Sequence, residues 1–420
     1  MIYAGATLSS YETASVALAT LAEVRVSAKQ VERRTLGIGT ERCAERDAAA
    51  DAYLALPLVE RKAAPAVVTA PDLAVVMMDG GRLQIFDRLK GADGPAPGDT
   101  PVSAERKGKY WREDKVGLLV SMASACGEAD PCPTLPTHFA DAGRIGQLVK
   151  EIKANAKANG FGAASGDTAL PAGDTALSES DSGMTPAEYE PPKLVLRSVV
   201  ATKQKVGRFG ELLAAAAWER GFYGSPRRAF LGDGSNANWG VWERHFSSFT
   251  PIVDFIHALT YVYQGAMAGR PFADGWPDYA AWIAALWQGD VAAVIAGLAA
   301  RQAILGEPEK SEGETSPRAK LAEALGYLRN QRERMQYAEY RRAGLPITTS
   351  HVESTIKRLN QRVKGTEKFW SEPGAEAILQ LRADTLSDTD PLEDFWVRRA
   401  SQETGERRQR SRCDTNSLAE

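Results

Sequence analysis

Five consecutive apolar residues, Ala74-Val75-Val76-Met77-Met78, run directly into Asp79-Gly80-Gly81. A continuous apolar run of this length is expected of a strand covered on both faces, which commits the chain to a sheet with helices packed on either side. The Asp-Gly-Gly that follows reads as a turn. Leu83-Gln84-Ile85-Phe86 then reads as a second strand and Val116 to Met122 as a third, a meander. Further along, Leu194 to Val200 reads as a strand, Arg208 to Arg220 as a helix, and Arg228-Ala229-Phe230-Leu231 as another strand, closed by Gly232-Asp233-Gly234. Phe249 to Asp254 makes one more short strand, with a helix from Phe255. Strands alternating with helices predict an α/β core, into which the helical block from Tyr261 to Arg342 is inserted.

At the N-terminus, Ser9-Ser10-Tyr11-Glu12 and Ser27-Ala28-Lys29-Gln30 fit the S-x-x-E/Q capping box and predict two helices joined by a tight turn. The second carries Lys29, Arg33 and Arg34, so the pair reads as helix-turn-helix-like, although helical hairpins that only pack are as common. Between Ala154 and Pro192 the chain is rich in Ala, Gly, Ser, Asp and Pro, and Gly-Asp-Thr-Ala-Leu occurs at Gly166 and again at Gly173. Such a composition predicts a flexible insertion.

Two acids, Asp79 and Asp233, each follow an apolar strand and precede glycine. In α/β sheets, ligand sites lie at the carboxyl ends of strands, and glycine lets a metal or phosphate approach the backbone. Either Asp alone is more simply a turn residue. A third acid, Glu353, lies on a helix predicted near His351 to Lys364, whose packed stripe is Val352, Ile356, Leu359 and Val363. Glu353 sits about 100° off that stripe, with Lys357, Asn360 and Lys364 on its face. The ordinary alternative is a Glu–Lys helix pair. Three carboxylates suit Mg²⁺ or Mn²⁺, because hard cations prefer oxygen ligands. Two such ions about 3.5–4 Å apart activate the attacking oxygen and stabilise the leaving one in phosphodiester cleavage.

The ordered runs Met77-Met78-Asp79-Gly80-Gly81, Leu231-Gly232-Asp233-Gly234, Val253-Asp254-Phe255-Ile256-His257-Ala258 and Val352-Glu353-Ser354 resemble the Kra-type bacterial insertion-sequence transposases, relatives of the Mutator-like group with its D-x-x-H motif. Val24 to Arg33, Tyr327 to Ile347 and Ser371 to Ala383 are similar to theirs as well. The resemblance implies a ribonuclease-H-like mixed sheet with flanking helices, a helical insertion before the last catalytic helix, and a DDE triad of Asp79, Asp233 and Glu353 holding two Mg²⁺ or Mn²⁺ ions. Asp254 and His257 match the D-x-x-H motif and are implied to lie near the acids. The implied activity is cleavage at element ends and strand transfer into target DNA, by a homodimer or higher oligomer bound to terminal inverted repeats. A nuclease that cuts without joining, or a DNA-binding relic, is the alternative on the same fold. The expected organisation is a helix-turn-helix-like segment (1–65), core (66–153), flexible insertion (154–192), core (193–260), helical insertion (261–345), last core helix and C-terminal helices (346–400) and a disordered tail (401–420).

The net charge of −3 is unhelpful for DNA, but its distribution is not. From Arg329 to Lys368 there are ten Lys or Arg against four Asp or Glu. Lys29, Arg33, Arg34, Lys357, Arg358, Arg362 and Lys364 are the candidate DNA contacts, with a solvated helix face as the plain alternative. Cys126, Cys132 and His138 share one segment, but C-x5-C-x5-H matches no common zinc spacing. No stretch approaches the roughly 20 apolar residues of a membrane span. The start lacks a secretion signal, and the cysteines form no disulfide framework, so a cytoplasmic protein is expected; the resemblance implies a bacterial, nucleoid-associated one.

Overall fold

The computed structural model describes residues 1–86, 110–159, 189–365 and 368–402. Six strands form one mixed sheet: β1 (Leu73–Ile85), β2 (Trp111–Ala123), β3 (Lys193–Thr202), β4 (Arg227–Gly232), β5 (Thr250–Val253) and β6 (Phe369–Trp370). The order is β3-β2-β1-β4-β5, with β6 beside the far end of β1. β1, β2 and β3 pair antiparallel, whereas β4 and β6 run parallel to β1, and β5 runs parallel to β4. With helices flanking this sheet, the architecture is α/β and compatible with a ribonuclease-H-like fold.

The meander is present, but its first turn is not where the sequence puts it. Asp79-Gly80-Gly81 is no turn: β1 continues through it to Ile85, so Leu83–Ile85 is the end of the same strand and Phe86 lies just past it. The reason is the partner. β2 pairs with β1 from Leu73↔Met122 to Gln84↔Trp111, so both glycines are held inside a ladder. A Cβ at Gly81 would lie 2.9 Å from Asp114 Oδ2, which makes glycine the residue that fits there. The apolar run behaves as expected, since Leu73 to Met78 are all at most 4% exposed.

The N-terminal helices are α1 (Ile2–Thr7), α2 (Tyr11–Ala22), α3 (Ala28–Ala55) and α4 (Leu58–Arg61). Ser27 and Gln30 form the expected reciprocal cap, whereas α2 is capped by Ser10 rather than Ser9. At 28 residues α3 is far longer than a short second helix. Its buried side chains Val31, Ile38, Arg42 and Tyr53 belong to the packed interior, and Gly39 lets its backbone press against Ala377.

The next helices are α5 (Ala142–Asn159), α6 (Val206–Glu219), α7 (Asn236–His245) and α8 (Phe255–Met267), followed by α9 (Phe272–Trp287), α10 (Val291–Leu305), α11 (Pro317–Gln331) and α12 (Tyr337–Arg342). The last three are α13 (Ser350–Val363), α14 (Glu372–Leu386) and α15 (Pro391–Gln402). The block expected to be helical throughout from Tyr261 to Arg342 begins inside α8 and is largely helical, but residues 306–316, between α10 and α11, are not helix. Arg42 of α3 donates to both carboxylate oxygens of Asp384 on α14. This buried pair ties the N-terminus to the C-terminal helices. Of the segment expected to be flexible, Ala154 to Asn159 lie in α5. The repeats at Gly166 and Gly173 lie outside the described residues, as do Cys413 and the tail beyond Gln402. Among the described residues no helix is long and apolar enough to cross a membrane.

Candidate metal centre and catalytic acids

The acids gather where the parallel strands end. Pairing of β1 with β4 stops at Met77↔Leu231, so Asp79, two residues on, stands just past the end of β4. Its Oδ1 accepts from Gly80 N at 2.7 Å. Burial pushes its carboxyl up to about 7, helped by the charges of Asp233 and Glu353, while the Gly80 amide and His257 pull the other way. Asp79 thus feels the charges of Asp233 and Glu353, although the sequence separates the three widely.

Asp233 follows β4 directly, and its side chain is fixed by α7. Its Oδ1 accepts from Ser235 N (2.9 Å) and from Asn238 Nδ2 (2.8 Å). Gly234 has φ +98°, a conformation glycine adopts without strain. α11 holds this turn from outside: Tyr327 OH donates to Asp233 O and Gln331 Nε2 to Gly234 O. Tyr327 is itself stacked on Tyr261 at 3.8 Å. Asn238, Tyr327 and Gln331 hold Asp233 and its turn in place, a role the sequence did not reveal. Only the S-x-x-N pattern from Ser235, which caps α7, hinted at Asn238.

Asp254 is fully buried and is the N-cap of α8. One oxygen accepts from His257 N (3.0 Å) and lies 2.6 Å from His257 Nδ1, and the other accepts from Thr349 N (2.9 Å). Thr349 immediately precedes α13, so Asp254 locks the imidazole and the approach to Glu353 together. Burial disfavours charge on His257, but the hydrogen bond and charge of Asp254, with Asp233 and Glu353 nearby, prevail and raise it to about 10. Glu353 is also raised, first by burial and then by Asp254, while His257 and Lys357 oppose this.

Ligand atoms of Asp254, His257 and Glu353 lie within 4.8 Å of one another, a group able to hold a metal ion. Four acids around one imidazolium leave an excess of negative charge in a half-buried place, and a divalent cation would relieve it. The oxygens of Asp254 already serve Thr349 and His257. Its geometry suits positioning, which leaves Asp79, Asp233 and Glu353 as the freer oxygen donors.

The expected DNA contacts fare unequally. Lys29, Arg33 and Arg34 are exposed at the start of α3, with Lys29 paired to Glu32 at 2.8 Å. Lys357 and Arg358 are exposed on α13. Arg362 is not a surface cation: it is 2% exposed, donates Nε to Gly5 O at 3.0 Å, and lies over the rings of Tyr11 (4.5 Å) and Trp370 (5.0 Å). Gly5, Tyr11 and Trp370 thus cover Arg362, which the sequence offered as a DNA contact. Lys364 lies beyond the last residue of α13, as its extended C-cap, so it does not share a helical face with Glu353. It sits 5.7 Å from the Trp111 ring. Cys126 Sγ contacts Ala343 O, Cys132 Sγ contacts Thr134 O, and the His138 ring packs on Phe139.

No known protein family matches the chain, and no curated protein matches it.

Proposed function

We propose that the chain is a metal-dependent DNA transposase of the DDE type, in which Asp79, Asp233 and Glu353 hold two divalent cations, Mg²⁺ or Mn²⁺. What supports the reading is the placement of Asp79 and Asp233 at the end of β4, in that chain order before Glu353, with Asp79 feeling the charges of both other acids. Bound there, such cations supply activation of an attacking oxygen and stabilisation of the leaving one.

The protein's own groups do the rest. Asn238 and the Ser235 amide orient Asp233. Asp254 holds His257 against the acids and fixes the turn into α13, so the Glu353 carboxylate is aimed before substrate arrives. His257 carries a proton beside that carboxylate and offsets its charge while the acids face one another. Lys357 and Arg358, exposed a turn farther along α13, are placed to meet phosphates without reading sequence. Terminal inverted repeats and target DNA are the substrates under this reading, and a bacterial cytoplasm is its setting.

The test is strand transfer. A labelled duplex carrying the DNA that flanks the coding region is incubated with plasmid and Mg²⁺. Joined products that disappear in Asp79→Asn and Glu353→Gln support the reading. Cutting without joining would assign a nuclease instead.

A further inference from the structure

Beyond Asp79 the strand β1 runs on to Ile85, and the surface around its end is unusual. Phe86 is 50% exposed, Phe369 is 45% and Tyr110 is 36%, with Tyr110 and Phe369 edge to face at 5.9 Å. The backbone makes one platform of them: Ile85 N donates to Tyr110 O, Phe86 N donates to Trp370 O, and Phe369 pairs with Gln84. Large aromatic rings held at a surface by a sheet mark a binding face. The surrounding charge says what kind. Arg82 and Lys364 are half-buried, Arg112 is exposed, and Lys364 sits over the Trp111 ring at 5.7 Å. Among the described residues nearby, Asp114 is buried and Glu113 is paired with Lys115 at 3.2 Å. A platform of rings ringed by cations suits bases without partners, because every base has a face to stack and its backbone is anionic.

We propose that the end of β1, with Phe86, Tyr110 and Phe369, binds a single-stranded DNA segment by base stacking. This rests on the DNA-processing reading above and names the form of its substrate: the end that reaches Asp79 is unpaired beyond the site. Seven residues separate Asp79 from Phe86, about 23 Å along the strand, and the odd spacing turns their side chains to opposite faces, so a DNA strand serving both passes around the end of β1.

The experiment uses the full chain in EDTA, with fluorescence anisotropy on a labelled (dT)12 and on a blunt 12-base-pair duplex. Phe86→Ala/Phe369→Ala is expected to weaken (dT)12 binding about ten-fold or more, since stacking is strong and tolerant of sequence, with duplex affinity within about two-fold. Phe86→Trp/Phe369→Trp should restore it. A folded Ala variant that keeps its (dT)12 affinity overturns the platform, and so does an equal loss for both DNAs. Loss of a protein dimer with (dT)12 affinity unchanged overturns it too, and assigns the face to self-association. If the wild-type protein nicks plasmid while the Ala variant retains (dT)12, the platform falls and the proposed function stands. A wild type that binds neither DNA contradicts both.

Discussion

Asp79→Asn should make the metal-free protein more stable at neutral pH. The carboxyl of Asp79 is raised from 3.8 to about 7, first by burial and then by Asp233 and Glu353. A raised carboxyl binds its proton more tightly in the folded state. The contribution of this group to stability is therefore largest below pH 4, falls as pH rises from about 4 to about 7, and levels off above. Three units at about 1.4 kcal/mol each set a ceiling of about 4 kcal/mol on the cost of ionisation. Asparagine removes the charge and can still accept from Gly80 N, so about 2–4 kcal/mol should be regained at pH 8. Urea unfolding of both proteins in EDTA at pH 8 and pH 4 measures it, and the gain should shrink to near zero at pH 4. Asp114 is also raised to about 7 by burial, but it is common to both proteins and cancels in the difference. Adding Mg²⁺ should stabilise the wild type and leave the variant nearly unmoved. A gain equal at both pH values would refute the reasoning, because it would owe nothing to the charge; so would no gain at all.

Gly234→Ala should destabilise by about 2–4 kcal/mol in urea unfolding, because φ is +98° and the new Cβ would lie 2.6 Å from Tyr327 Cε2. Arg362→Ala should cost about 2–4 kcal/mol by losing a charged hydrogen bond and two ring contacts, and limited proteolysis should then cut within the first 22 residues. Arg362→Lys should rescue little of this, since an ammonium cannot lie flat between Tyr11 and Trp370. Lys357→Gln/Arg358→Gln should lower the slope of log K against log salt for duplex DNA by about 1.8; an unchanged slope in the folded variant would put the DNA path elsewhere.

The core strand and the α13 stripe were legible because their patterns are local. Val352, Ile356, Leu359 and Val363 recur at helical spacing, and all are at most 6% exposed. The order of the acids was legible for a similar reason: Asp233 and Asp79 interrupt apolar runs. Partners set at a distance were not. Asp-Gly-Gly favours a turn locally, and only the register with β2 keeps it in a strand. Arg362 looks like a surface cation until Tyr11 and Trp370 close over it. Asp114 stands in the polar run Trp111-Arg112-Glu113-Asp114-Lys115, yet it is fully buried, because alternate residues of a strand face opposite ways. The D-x-x-H pair was visible, but the reach of Asp254 to Thr349 depends on how the helices after α8 return the chain to α13.

The most direct measurement is nicking of supercoiled plasmid by the purified chain in Mg²⁺ or Mn²⁺, beside Asp79→Asn, Asp233→Asn and Glu353→Gln. It needs no knowledge of a recognition sequence and reads phosphodiester cleavage itself. The account predicts nicked circles from the wild type, none in EDTA, and a loss of at least about a hundred-fold in each variant while all three remain folded. Nicking that survives any one of these substitutions, or a folded wild type that leaves the plasmid supercoiled in both metals, would contradict it.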